Sequence, residues 1–248
     1  MMKKLIALIM ALCLMVPAFA LGEELIMATN AAFAPYEYYE NEKIVGIDAE
    51  IAAAIAEKLG MTLRIDDVDF NAIIPAVTSG KASIGMAGMT VTEERKQSVN
   101  FSDTYATGIQ VIIVKEGPPI TNIDDVLAEG ASYHVGVQEA TTGDIYISGD
   151  LGDAANERVQ KYANGSLAVE ALKTDKVDCV IIDNEPAKAL VAANDGLKIL
   201  EASYTEEDYA IAVALENTEL LEKINAALKE LTEDGTIPAI IAKYIPAE

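Results

Sequence analysis

Arg95 is the side chain of this sequence best suited to hold an anion. It closes the run Thr90-Val91-Thr92-Glu93-Glu94-Arg95. Thr92 reads as the N-cap of a helix, with Glu93 and Glu94 in its first turn. A cation in a first turn opposes the helix macrodipole, which favours anions there. Two readings offset that penalty. One sets an anionic ligand between the guanidinium and the N–H groups around Thr90 to Thr92. The other pairs Arg95 with Glu93 or Glu94 at the surface, an arrangement worth only ~0–1 kcal/mol. Asp183 ends the apolar run Cys179 to Ile182 and reads locally as the cap of the helix after it. Phe33, flanked by alanines, either projects into a cleft or joins the core.

Catalytic chemistry has little to work with. The single histidine, His134, sits in an alternating stretch and reads as packed or exposed. The chain has no Gly-x-Ser-x-Gly, no His-Glu-x-x-His and no Cys/His metal spacing. Gly85 and Gly88 fall at the wrong spacing for a dinucleotide loop. No cofactor or metal is expected, and the chain is not expected to be an enzyme. Cys179 lies among Val177, Val180 and Ile181, the setting of a buried and inert thiol.

These side chains must be positioned by a chain of 248 residues, 51% hydrophobic, with a formal charge of −22. That surface disfavours nucleic acid as a partner. Residues 1–20 read as an export signal: Lys3 and Lys4, the apolar run Leu5 to Val16, and Ala18-Phe19-Ala20 as a small-x-small cleavage site. The apolar run is shorter than the ~20 residues of a membrane span. Removal of both lysines takes the charge to −24. Cys13 suggests a lipid anchor, but Leu12 is too large for the residue before a lipidated Cys.

From Glu24 onward strands alternate with helices, the pattern of a mostly parallel sheet. Glu24 to Ala28 is a strand, with Asn30 to Pro35 a loop at its carboxyl end, where open α/β sheets bind ligands. Tyr36 to Val45 forms a hairpin turning at Asn41-Glu42. Asp48 caps a helix over 49–59, with Ile51, Ile55 and Leu59 at spacing four and Gly60 as its stop. Met61 to Val68 is a strand, and Asn71 caps a short helix. A second α/β pattern follows Ile109 to Val114, with helices over 123–127, 167–172 and 186–193 and another opening at Thr141 or Thr142. Tyr209 to Leu215 alternates as one strand, and helices over 220–231 and 237–244 finish the chain.

Several stretches together resemble the polar-amino-acid substrate-binding proteins of ABC transporters, solute-binding family 3. They are Ala28-Thr29-Asn30-Ala31-Ala32-Phe33-Ala34-Pro35-Tyr36-Glu37; Gly46-Ile47-Asp48; Asp69 to Ala76; Met86 to Lys96 followed by Val99-Asn100-Phe101-Ser102-Asp103; and Asp178 to Asp183. The resemblance implies a two-lobed, type II periplasmic-binding-protein-like α/β fold with two hinge crossovers and the ligand in the interlobe cleft. Lobe 1 is expected to hold residues 21–107 and 210–248, and lobe 2 residues 108–209, with crossings near Tyr105 to Ile109 and Glu207 to Ile211.

By the same resemblance, Arg95, Thr90 and the N–H of Thr142 take the ligand carboxylate. Asp183, the carbonyl of Gly88 or Ala87 and the Thr90 hydroxyl take its ammonium. Phe33 and Phe70 sandwich its side chain. Asn30 stands where binders of basic amino acids carry an acid. Gln138 and Ile182 depart from the glutamine pattern of a Lys and a His. A neutral polar amino acid is expected, with Glu139 near the pocket as a counter-charge if the ligand is cationic. The partners implied are a free amino acid and a membrane permease, for a monomer in the periplasm or at the cell surface. The rival reading is a cyclohexadienyl-dehydratase-like enzyme on the same fold, with Glu139 or Asp183 as its acid.

Overall fold

The computed structural model describes residues 23–117, 119–200 and 203–246. The expected export signal, with Cys13, lies outside them. In chain order the first part holds β1 (Glu24–Thr29), β2 (Ala32–Phe33), β3 (Glu37–Glu40), β4 (Lys43–Val45), α1 (Ile47–Leu59), β5 (Thr62–Asp67), α2 (Phe70–Thr78), β6 (Ile84–Gly85) and β7 (Val99–Phe101). The middle part holds β8 (Ala106–Lys115), α3 (Ile123–Leu127), β9 (Val135–Gln138), α4 (Thr142–Leu151), α5 (Ala155–Arg158), β10 (Val159–Tyr162), α6 (Gly165–Lys173), β11 (Cys179–Asp183), α7 (Asn184–Ala192), β12 (Leu197–Ile199) and β13 (Thr205–Tyr209). Then come β14 (Ala212–Ala214), α8 (Thr218–Glu233) and α9 (Thr236–Tyr244).

Two large sheets organise these elements. The first has the order β5-β1-β6-β14-β7, with β1 parallel to both β5 and β6. The second has the order β10-β9-β11-β8-β12, with β13 also on β8. A small antiparallel β2-β3-β4 sheet carries the hairpin. The chain passes from the first sheet to the second between β7 and β8, and returns between β13 and β14. The two crossing strands are zipped antiparallel, from Ala106 opposite Tyr209 to Gln110 opposite Thr205. The molecule is a two-lobed α/β protein of type II connectivity.

Burial explains the local choices. Ile47, Ile51 and Ile55 of α1 are fully buried, and Gly60 ends the helix in the left-handed conformation at φ 66°. The α8 residues Ile224, Leu228 and Leu231 belong to the same buried cluster, and both C-terminal helices pack on α1. β11 is buried along its whole length, as a continuous apolar run in the middle of a sheet should be. Its Cys179 is a buried free thiol, and burial pushes it up to about 12.

Some expectations are corrected. Asp48 does not cap α1. Gly46 holds that position at φ 124°, where a Cβ would stand 2.2 Å from the Tyr36 carbonyl oxygen. Asp48 turns inward, accepting from the Gly88 N–H at 2.8 Å and the Tyr105 hydroxyl at 2.9 Å. Thr92 opens one turn of 3-10 helix, Arg95–Gln97, rather than an α-helix. Its hydroxyl accepts from the Arg95 N–H at 3.1 Å, but Val99 already belongs to β7, so the turn cannot propagate. Asn71 lies inside α2, whose cap position is Asp69. Tyr209 to Leu215 is not one strand. Its alternation runs through the crossing, where β13 of one sheet gives way to β14 of the other. β10 and the short α5 are elements that periodicity does not announce.

Candidate ligand-binding site

The ten residues singled out from the sequence line one cavity between the lobes. One wall comes from the loops after β1 and β6 and from the start of α2. It presents Asn30, Phe33, Phe70, Ala87, Gly88, Thr90 and Arg95. The facing wall presents Gln138 at the end of β9, Thr142 at the start of α4 and Asp183 at the end of β11. These are carboxyl ends of strands, where an α/β sheet leaves a crevice. Glu37 and Thr141 line the same space.

Arg95 is 7% exposed. Its Nη1 donates to the Thr90 carbonyl at 2.8 Å and its Nη2 to the Ala140 carbonyl, across the cleft, at 3.0 Å. The guanidinium carbon lies 5.4 Å from the Phe70 ring centre, so the plane of the fork is fixed by two carbonyls and a ring. Desolvation lowers its pKa, from so high a starting value that the group stays charged.

The Thr90 hydroxyl donates to Glu207 at 3.1 Å and stands 3.4 Å from the Thr142 hydroxyl. Glu207, on β13, also accepts from Gln110 Nε2 at 2.9 Å. Gln138 Nε2 donates to Asn30 Oδ1 at 3.0 Å, while Asn30 Nδ2 donates to the Val68 carbonyl at 2.9 Å. Both ends of the Asn30 amide are therefore oriented. Asn71 donates to Glu139 at 3.2 Å, tying the outer rim of the cleft.

Glu139 is exposed and outside the cavity lining. Its place at the rim follows from its position after β9, where the chain has already turned outward. His134 is also outside, half-exposed, 3.7 Å from Asp178.

Asp183 is buried and accepts from the Tyr209 hydroxyl. Burial first, and then the charge of Glu207, raise its carboxyl to about 7. Gly88 sits at φ 51°, and a Cβ there would come within 2.8 Å of Phe33 Cε1. Only glycine lets that ring and the backbone meet. Phe33 in turn stacks on Tyr36 at 5.9 Å.

Four polar residues that matter here were not singled out in the sequence. Gln110 had a signal, because it interrupts an otherwise β-branched buried strand. Glu207 is hidden in the acidic run Glu206-Glu207-Asp208. Thr141 reads in the sequence only as a residue that opens α4. Glu37 sits between two tyrosines of a hairpin, where alternation gives no reason to bury it.

A cavity between two hinged lobes, with a fixed cation on one wall and a buried acid on the other, is the site of a receptor for a small charged solute. The chain belongs to the bacterial extracellular solute-binding proteins, family 3, whose description it matches over residues 25–247. It is 32% identical over 260 residues to the "Arginine-binding extracellular protein ArtP" of Bacillus subtilis (strain 168), covering 100% of both chains. Among solved structures it resembles "An ancestral arginine-binding protein bound to glutamine", with 41% identity, TM-score 0.83, and coverage of 90% of this chain and 98% of that one. It also resembles the "arginine-, lysine-, histidine-binding protein ArtJ from the thermophilic bacterium Geobacillus stearothermophilus", with 32% identity, TM-score 0.84, and coverage of 91% and 96%.

Proposed function

We propose that the protein is the exported receptor of an ABC importer, that it grips one free polar amino acid between its lobes, and that it delivers this ligand to a membrane permease. The observation that carries this reading is a buried guanidinium and a buried carboxyl lining one cavity, Arg95 on one wall and Asp183 on the other. A free amino acid presents the matching pair at fixed separation. Its carboxylate would meet Arg95, the Thr90 N–H and the start of α4 at Thr142. Its ammonium would meet Asp183 and the carbonyls of Ala87 and Gly88. Phe33 and Phe70 would enclose its side chain, and the Asn30 and Gln138 amides would read its polar end.

A neutral side chain suits that end best. An amide cannot neutralise a buried cation, and Glu139 is committed to the rim. Lobe 1 would comprise residues 21–107 and 210–248, and lobe 2 residues 108–209. Because the ligand touches both, its binding energy would favour the closed state. The receptor would act as a monomer in the periplasm or at the cell surface, without catalysis. Among the described residues no helix is long and apolar enough to cross a membrane.

A thermal-shift screen of the chain from residue 21 onward, against the twenty amino acids with ornithine, citrulline and cystine, tests this. A ligand at 100 times its Kd adds about 2.7 kcal/mol and raises Tm by several degrees. A rise with one or two neutral polar amino acids is expected. A rise confined to Arg, Lys and ornithine would keep the receptor and overturn the role given to Asn30. No rise with any amino acid would contradict the proposal.

A further inference from the structure

Glu37 is the one acid of the cavity lining that the zwitterion does not yet use. It is 0% exposed, and neither carboxyl oxygen meets a hydrogen-bond donor among the described residues. It stands at the first residue of β3 and faces the carboxylate of Asp48, an acceptor like itself. Asp48 is already supplied by the Gly88 N–H and the Tyr105 hydroxyl. Two buried carboxylates side by side cannot both be ionised without a large electrostatic cost. A proton on Glu37 turns the contact into an O–H···O⁻ hydrogen bond donated to Asp48.

The surroundings reinforce this. From β5 Asp67 bears on Glu37, and from β11 Asp183 does. The hydroxyls of Tyr36, Tyr105 and Tyr209 face the same group of acids from their own segments, and Glu185 of α7 bears on Tyr36. Two cations touch its edge: Lys188 of α7 pairs with Glu185 at 2.8 Å, and the charge of Arg95 couples to Asp183. Burial and Asp48 accordingly hold the Glu37 carboxyl well above the usual carboxylate range.

We propose that Glu37 is a second acid of the ammonium subsite, and that an arriving ligand ammonium expels its proton. The O–H bond of Glu37 breaks, the proton leaves to solvent with the pair of electrons remaining on the carboxylate, and the ammonium becomes the counter-charge shared by Asp183 and Glu37. Gly88 links the pieces, since its N–H is held by Asp48 while its carbonyl side borders the ammonium position. The inference rests on the amino-acid reading above. It makes affinity pH-dependent in a defined direction. Each proton released on binding tightens Kd by up to ~tenfold per pH unit while Glu37 remains protonated in the free receptor.

The test is calorimetric titration of L-glutamine, and of L-arginine in parallel, from pH 5.5 to 8.5 in buffers of different ionisation enthalpy. It compares the wild type with Glu37→Gln. The amide donates to Asp48 as the protonated acid does, so this variant copies the low-pH form and its fold. At low pH the two proteins are expected to bind equally. As pH rises the wild type should gain affinity over Glu37→Gln and release a larger fraction of a proton per ligand. The share that survives in the variant belongs to Asp183. Parallel pH curves and equal proton counts would overturn the role of Glu37 and leave the receptor reading intact. No binding of either amino acid at any pH, with none from the wider set binding, would overturn both.

Discussion

The two walls of the cavity hold charge in different ways. On the first, Arg95 is clamped from three sides, by the Thr90 carbonyl, by the Ala140 carbonyl of the opposite wall and by the Phe70 ring. Its charge is permanent and its plane is set before any ligand arrives. On the second, Asp183 accepts from the Tyr209 hydroxyl and from Gln110, and its carboxyl sits at about 7 because burial and Glu207 disfavour the ionised form. One wall is a fixed cation and the other a titratable anion. The carboxylate end of a ligand thus meets a preorganised partner, while its ammonium end creates the charge it needs. Preorganisation lowers the cost of binding at one end, and proton linkage tunes it at the other.

Removing the fixed wall should have the largest effect. Arg95→Ala is expected to lose about 2–4 kcal/mol of affinity, on the order of 30- to 1000-fold in Kd by calorimetry, from two charge-assisted hydrogen bonds taken as non-additive. Near-unchanged affinity would take Arg95 out of the site.

The second wall should discriminate rather than simply weaken. Asp183→Asn is expected to cost the amino acid about 1.5–3 kcal/mol, while its des-amino analogue loses little. Equal losses for both would contradict the ammonium role.

The titratable wall also predicts how stability moves with pH. Asp183 is raised from 3.8 to about 7 and Asp48 to about 6, so the folded chain binds protons more tightly than the unfolded one. Their contribution is complete below about pH 4 and is lost as pH rises through about 7. Without ligand, Tm should fall across that window, and Asp183→Asn should flatten part of the fall. Roughly 1 kcal/mol corresponds to ~2–4 °C at this chain length. Matching wild-type and variant profiles would show that Asp183 titrates as it does in the unfolded chain.

The smallest effect belongs to the rim. Glu139→Ala removes an exposed bond to Asn71 and should change Kd within roughly fivefold. A larger loss would move Glu139 from the rim into the site.

The walls also differ in how far they could be read in advance. The fixed wall lies in compact runs, and residues 85–103 alone carry Gly88, Thr90 and Arg95. Apolar periodicity delimits α1, α3 and β11 well, because each buries a face or a whole strand. The titratable wall is scattered from Gln138 to Asp183, and Thr142 and Asp183 read locally as the start and the cap of helices. What periodicity missed is tertiary. Asp48 looks like a cap until Gly46 takes that position and Gly88 and Tyr105 claim its carboxylate. Glu207 looks like one of a run of surface acids until β13 pairs with β8 and turns it inward. Tyr209 to Leu215 keeps a strand's alternation while changing sheets, because extended backbone carries no mark of which neighbour it will pair with.

The most direct test of the central claim is a crystal structure of the chain from residue 21 onward, grown with the amino acid that gives the largest thermal shift. The ligand's carboxylate is expected on the Arg95 fork, its ammonium on Asp183 and its side chain between Phe33 and Phe70. A ligand bound with its carboxylate away from Arg95, or outside the interlobe cavity, would contradict it.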